Sequence, residues 1–107
     1  MISTPRVRID RVTERTRAVY AISVAAEMAD MQIQNLRVYE RRGLVDPART
    51  SGGTRLYSRA DVERLVRIRD LLADGLNLAG IARVLTLEED VRRLEAANER
   101  LRRAARE

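Results

Sequence analysis

A glycine, a proline and a Gly-Gly pair interrupt the middle of this 107-residue chain and limit where regular structure can run. Gly43 ends a helical pattern as a C-cap, and Pro47 blocks a helix. Gly52-Gly53 lies between PAR and the alternating RLYS, a pattern that predicts a tight β-hairpin, or wing. Helices are therefore expected before residue 43 and after residue 57, with one small hairpin between them.

Apolar residues at three- and four-residue steps predict two short helices before the hairpin. Ser23 is the expected N-cap of the first helix, and the second covers about residues 32 to 42. Asp30 and Met31 break the run between them. Two short helices joined by a tight turn are typical of a helix-turn-helix, although any αα-hairpin gives the same pattern.

Two more helical patterns follow the hairpin. Ser58 is expected to cap the third helix, which Gly75 ends, and Asn77 is expected to cap the fourth. From residue 84 the apolar positions repeat in heptads and the other faces are charged, as in a coiled coil exposed to water. The predicted dimerisation seam consists of Val84, Leu87, Val91, Leu94, Asn98, Leu101 and Ala105.

A terminal helix that packs back on its own domain is the alternative to a dimeric coil, but such a helix usually has a broader apolar face. Asn98 at an a position limits the geometry of the partner, which favours a specified dimer. Aromatic residues are 3% of the chain and charged residues 35%, so the core must be thin and an interface would bury more apolar surface. We therefore expect a homodimer.

The fold class predicted is mainly α, a winged helix-turn-helix with a C-terminal dimerisation coiled-coil helix. Residues 1–18 hold five arginines with few large apolar residues, and they are expected to form a flexible basic arm. Residues 19–83 then form the winged helix-turn-helix, and residues 84–107 form the dimerisation helix.

The net charge of the chain and the residue types that it lacks limit the classes of function that we expect. The net charge is +5 and all 21 basic residues are arginine, whose forked donors suit phosphate and guanine edges, so double-stranded DNA is the leading partner. The chain has no Cys and no His, which excludes disulfides, thiolate or imidazole metal sites and the commonest nucleophiles and bases. We expect no enzyme activity and no cofactor. No apolar window reaches the roughly 18 residues of a membrane span, so a cytoplasmic protein is expected.

The candidate DNA-binding residues lie on the second helix and on the hairpin. Side chains on helix faces that Leu36 does not need are free for a major groove, where amides pair with adenine and Arg forks onto guanine. In the hairpin, glycines allow close approach of phosphate and take positive φ, while arginines and hydroxyls supply donors. The helix candidates are Gln34, Asn35, Arg37, Arg41 and Arg42, and the hairpin candidates are Arg49, Thr50, Ser51, Gly52, Gly53, Thr54 and Arg55.

Two tyrosines complete the candidate set. Tyr39 is expected to lie half buried and to offer its hydroxyl to phosphate. Tyr57 is also a candidate for a phosphate contact, but a role as a core anchor is favoured because aromatic residues are so few. A protein-binding adaptor that never touches DNA is the alternative function, and it would need apolar anchors where these polar groups lie.

The stretch LRVYERRGLVDPARTSGGTRLYS resembles the signature of MerR-family transcriptional regulators, and the resemblance extends over about residues 19 to 103. Within that family, YAISVAAEMADM and GLNLAGIARVLTLEEDVRRLE are similar to the HspR-like heat-shock repressors. The chain departs from that branch at Gln32-Ile33, where His-Pro is usual, and at Val38, where a polar residue is frequent. The second departure bears on base preference.

The resemblance implies a homodimer joined by an antiparallel coiled coil, which binds an inverted repeat and can distort the DNA. It implies repression of chaperone operons, with a DnaK-like chaperone as co-repressor. Arg37 and Tyr39 match the family's helix contacts, Arg55 matches its wing arginine, and Gln34 and Asn35 are carried over with them. The chain lacks the cysteines and the added effector domain of the metal- and drug-sensing members, which argues against a direct small-molecule switch.

Overall fold

The computed structural model describes residues 13–106, and the predicted fold class is confirmed. Four helices and one two-stranded antiparallel hairpin make up the described chain. In chain order they are α1 (Ile22–Ala29), α2 (Ile33–Arg41), β1 (Ala48–Arg49), β2 (Arg55–Leu56), α3 (Arg59–Ala73) and α4 (Leu78–Arg106). The chain divides into two compact units, one ending at Asp70 and the other beginning at Leu71, so the division lies within α3.

The turn between α1 and α2 depends on Asp30. Asp30 takes the left-handed conformation at φ 57°, which Asp tolerates better than most side chains, and the next amide, of Met31, donates to Ala26 O over 2.9 Å. Gln32 is extended and begins α2. The predicted cap of α1 was wrong: Ala21 is the N-cap, Ser23 lies in the first turn, and no side chain caps this helix.

The wing is the β1–β2 hairpin, residues 48–56. Ala48 pairs with Leu56 and Arg49 with Arg55, and the Thr50 amide donates to Thr54 O over 2.9 Å. The Gly53 amide closes the turn on Thr50 O, also over 2.9 Å. Gly53 has φ 88°, whereas Gly52 lies outside the positive-φ region, so the prediction that both glycines take positive φ is corrected to Gly53 alone.

The caps predicted for α3 and α4 are confirmed. Ser58 Oγ accepts from the Asp61 amide over 3.0 Å while Asp61 Oδ2 accepts from the Ser58 amide over 2.9 Å, so each side chain satisfies the other's backbone donor. Asn77 Oδ1 accepts from the Gly80 amide over 2.8 Å. α4 then runs unbroken for 29 residues, so the predicted fourth helix and coiled-coil segment are one helix, without a break at residue 84.

The segment before α1 packs on the first unit. Tyr20 and Tyr57 exchange backbone hydrogen bonds of 2.9 and 2.7 Å, which form an isolated antiparallel bridge. The Ala60 amide, one of the first-turn donors of α3, donates to Arg15 O over 2.8 Å. The flexible-arm prediction is therefore corrected for residues 13–18, and residues 1–12 of the predicted arm lie outside the described residues.

The core of the first unit is aliphatic apart from two tyrosines. Small alanines on α1 let α2 approach closely, and leucine, valine and isoleucine side chains of α2, α3 and the α2–β1 loop fill the remaining space. Its buried apolar residues are Ala25, Ala26, Ala29, Leu36, Tyr39, Leu44, Val45, Tyr57, Val62, Leu65 and Ile68. In the second unit Leu71, Ile81 and Leu85 are buried.

Residues 13–106 lack both a membrane-spanning helix and a group of metal-binding side chains. None of the helices there combines the length and apolar character needed to cross a bilayer. Within the same residues, no three His, Cys, Asp or Glu side chains are grouped so that they could hold a metal ion.

Candidate nucleic-acid interface

α2 presents one buried and one exposed face. Leu36 is fully buried and Tyr39 is 6% exposed, which fixes the helix on the core. The opposite side is polar, as the three- and four-residue spacing requires. All five helix candidates are exposed: Gln34, Asn35, Arg37 and Arg41 on α2, and Arg42 at its C-cap.

The wing provides a second exposed polar surface in the same unit. Arg49 and the tip residues Thr50, Ser51, Gly52, Gly53 and Thr54 are exposed, and Arg55 is half-buried. Thr50 also has a local role, because its Oγ1 accepts from the Thr54 amide over 3.1 Å and so closes the hairpin. α2 and the wing thus bring amides, hydroxyls and guanidinium groups together on one unit.

One carboxylate joins these two surfaces. Glu40, in the last turn of α2, accepts a hydrogen bond from Arg55 Nε at Oε1 and one of 2.7 Å from Arg49 Nη2 at Oε2. Arg49 Nη1 also donates to Gly53 O over 3.0 Å, which ties the arginine to the hairpin tip. We call Glu40, Arg49 and Arg55 the Glu40 clasp.

Burial and the neighbouring arginines shift the pKa of Glu40 in opposite directions. Burial of its side chain, which is 17% exposed, raises the pKa, but the hydrogen bonds from Arg55 and Arg49 and their positive charges together outweigh burial. The pKa of Glu40 is therefore held below its usual value. The carboxylate stays ionised and bound to both arginines at neutral pH.

Glu40 was not among the predicted site residues, although the sequence contains a signal for it. Glu40 is one of only two acids in the arginine-rich stretch of residues 35–58, and the other, Asp46, is exposed. An acid followed directly by two arginines, close in sequence to a predicted hairpin, is well placed to pair with hairpin arginines.

The two tyrosines serve the core. Tyr57 has no exposed surface, so the core-anchor interpretation holds and the alternative prediction of a phosphate contact is wrong: its ring cannot meet phosphate in this conformation. Burial raises the pKa of the Tyr57 phenol, and its hydroxyl has no hydrogen-bond partner among the described residues. Burial also raises the pKa of Tyr39, which is more deeply buried than the half-buried position expected.

Residues 20–88 match the model of the MerR HTH family regulatory protein. The chain belongs to the MerR family. HspR, a heat shock protein of Streptomyces coelicolor, is 49% identical over 86 residues, which are 79% of this chain and 56% of that protein. The transcriptional regulator GlnR of Bacillus anthracis is 40% identical over 76 residues, 71% of this chain and 59% of GlnR. This chain thus spans somewhat over half the length of these relatives.

A solved structure has the same fold. The N-terminal part of MtaN, the Bacillus subtilis multidrug transporter activator, superposes with a TM-score of 0.58 at 27% sequence identity. The likeness covers 79% of this chain and 96% of the MtaN chain. The helix-turn-helix and wing of the present chain are therefore those of the family.

Proposed function

We propose that this chain is a sequence-specific, DNA-binding transcriptional regulator. The observation that carries the proposal is an exposed α2 face of amides and arginines beside a wing of arginines, hydroxyls and glycines. In a major groove, Gln and Asn side chains bond adenine and Arg forks onto guanine, while wing donors bond phosphate. α2 would then read bases and the wing would hold the backbone.

Roles follow from position on these two surfaces. Gln34, Asn35 and Arg37 lie in the first part of α2 and are proposed to meet base edges. Arg41 and Arg42, at the far end, are proposed to reach phosphate. The proposed phosphate contacts also include Tyr39 through its hydroxyl and the wing residues Arg49, Thr50, Ser51, Gly52, Gly53, Thr54 and Arg55.

A homodimer is part of the proposal. Leu87, Val91, Leu94 and Leu101 of the predicted seam are 51–69% exposed in the single chain, a row of apolar side chains that a second copy of α4 would cover. The family resemblance supports an antiparallel coil and an inverted-repeat operator, with half-sites about one duplex turn apart.

The biological role is proposed from similarity. The likeness to HspR, a protein named for heat shock, supports repression of chaperone genes, and the resemblance adds a DnaK-like chaperone as proposed co-repressor. A regulator of chromosomal genes would act in the cytoplasm, on the nucleoid.

The distribution of apolar residues favours DNA over a protein-binding adaptor. An adaptor surface needs large apolar anchors. Among the described residues, no large hydrophobic side chain of α2 or the wing is exposed; those that are exposed lie before α2, on α3 and on α4. The proposed interface is polar throughout its exposed part.

Arg37→Ala tests the proposal directly. A duplex is first selected by the wild-type protein from a random library, and its affinity is then compared with that of a scrambled duplex. We expect the substitution to weaken binding to the selected duplex by about 1–3 kcal/mol, because one base-reading side chain is lost, and to relax selectivity.

Arg92→Ala is the matched control, since Arg92 is an exposed arginine of α4 outside the proposed surface. It removes the same charge and should leave selectivity unchanged. Equal effects of the two substitutions, or a wild-type protein that prefers no duplex, would refute the proposed function.

A further inference from the structure

Glu40 stands out because it places a negative charge within the surface proposed to meet an anion. A carboxylate at such a surface repels the phosphate groups of DNA and so lowers the affinity of the protein for any duplex. Glu40 is nevertheless held ionised, with both carboxylate oxygens occupied by arginines of the wing. We therefore look for a structural role of the Glu40 carboxylate, since it cannot contribute to the attraction of DNA.

The contacts of the clasp indicate what it supplies. Arg49 comes from β1 and Arg55 from β2, so one side chain of α2 holds both strands of the wing. Arg49 also reaches the tip through Gly53 O. A continuous set of hydrogen bonds therefore connects α2 to the tip of the wing.

The clasp leaves donors for an outside acceptor. Arg55 donates from Nε to Glu40, and its guanidinium has no other partner among the described residues. Its terminal nitrogens therefore keep their hydrogens for phosphate, the geometry in which arginine binds two acceptors at once. The cluster of one carboxylate and two guanidinium groups keeps a net positive charge.

We propose that Glu40 is a positioning residue for DNA recognition: it sets the angle of the wing relative to α2 and aims the Arg49 and Arg55 side chains at the backbone beside the base-reading face. This proposal rests on the proposed function. It attributes part of the selectivity of DNA binding to Glu40, although the charge of Glu40 repels DNA. Substitution of Glu40 should therefore lower the selectivity for the selected duplex without lowering the affinity for other duplexes.

Glu40→Gln is the test variant. Losing a negative charge favours any duplex, so binding to a scrambled duplex should stay equal or become a few-fold tighter. Losing the clasp releases the wing, so binding to the duplex selected by the wild type should weaken about three- to tenfold. The ratio of the two affinities is the quantity measured, across a series of salt concentrations.

Glu63→Gln is the matched control. Glu63 also pairs with an arginine, Arg15, through a 2.6 Å contact in the same unit, but it lies on α3 and outside the proposed surface. Its loss changes the net charge equally and should affect both duplexes alike. If Glu40→Gln changes the two affinities in the same proportion as Glu63→Gln does, Glu40 acts only through charge and the positioning role is overturned.

A second readout needs no DNA. Hydrogen exchange of the Thr50, Gly53 and Thr54 amides, which close the wing, should be faster in free Glu40→Gln and unchanged in free Glu63→Gln. Unchanged exchange in Glu40→Gln would overturn the positioning role. If the wild type prefers no duplex while the exchange rates change as expected, the proposed function fails and the structural role of Glu40 stands.

Discussion

At the scale of single residues, Tyr57 carries a hydroxyl into the core, where burial and, to a lesser extent, the nearby charge of Glu40 raise the pKa of its phenol. Its ring is fully buried, its backbone bridges Tyr20, and its hydroxyl has no partner among the described residues. A buried polar group without a partner costs free energy, whereas the ring that carries it contributes by filling the core. The ring and the hydroxyl should therefore have opposite effects on stability.

Substitution separates those two contributions. Tyr57→Phe keeps the ring and removes the hydroxyl, so the free energy of unfolding should be unchanged or higher by up to about 1 kcal/mol. Tyr57→Ala should lower it by about 3–5 kcal/mol, because a large buried side chain is lost. Urea unfolding of both variants measures the difference. A Tyr57→Phe loss above about 1 kcal/mol would mean that the hydroxyl makes a stabilising bond.

At the scale of secondary-structure elements, the predictions that held were those set by local chemistry. Ser58 and Asn77 cap helices with their own side chains, and Gly53 takes the positive φ that the hairpin needs. Each of these depends on residues within four positions. Sequence patterns report such neighbours well.

The elements that the sequence did not predict depend on residues far apart in the chain. Arg15 pairs with Glu63 across 48 positions, and Tyr20 pairs with Tyr57; these contacts hold the segment before α1 in place. Ala21, at the end of that segment, is extended and α1 begins at Ile22, so Ser23 lies within the first turn and cannot be the cap. The candidate site shows the same limit: its exposed side chains followed from helix period, but the Glu40 clasp exists only once the wing has folded against α2.

Acid should loosen the wing. The pKa of Glu40 is lowered in the folded chain, so its contribution to stability is fully present above the usual value of 4.5 and is lost as pH falls through the lowered pKa. The difference in unfolding free energy between wild type and Glu40→Gln should thus be constant near neutral pH and shrink towards zero in acid. Urea unfolding at a series of pH values measures this difference in free energy. The contribution of Glu63 does not affect the difference, because both proteins retain Glu63. A difference that grows on acidification would contradict the clasp.

At the scale of the whole molecule, the two units have separate proposed roles. The unit ending at Asp70 contains α1, α2 and the wing, and with them every proposed DNA contact. The unit beginning at Leu71 contains α4 and its row of exposed apolar residues. In a single copy of the chain that row is exposed, whereas in the homodimer that we propose two copies would cover it and bring two DNA-binding units to one duplex.

The most direct test of that account is the mass of the protein–DNA complex in solution, measured by sedimentation with the duplex selected by the wild type, together with the dependence of its affinity on salt. We expect two copies of the chain per duplex and an affinity that falls linearly with the logarithm of salt concentration. Leu94→Gln, which leaves net charge unchanged, should reduce the complex to one copy and weaken it. A wild-type chain that remains a single copy and shows no salt-sensitive affinity for the duplex would contradict the account.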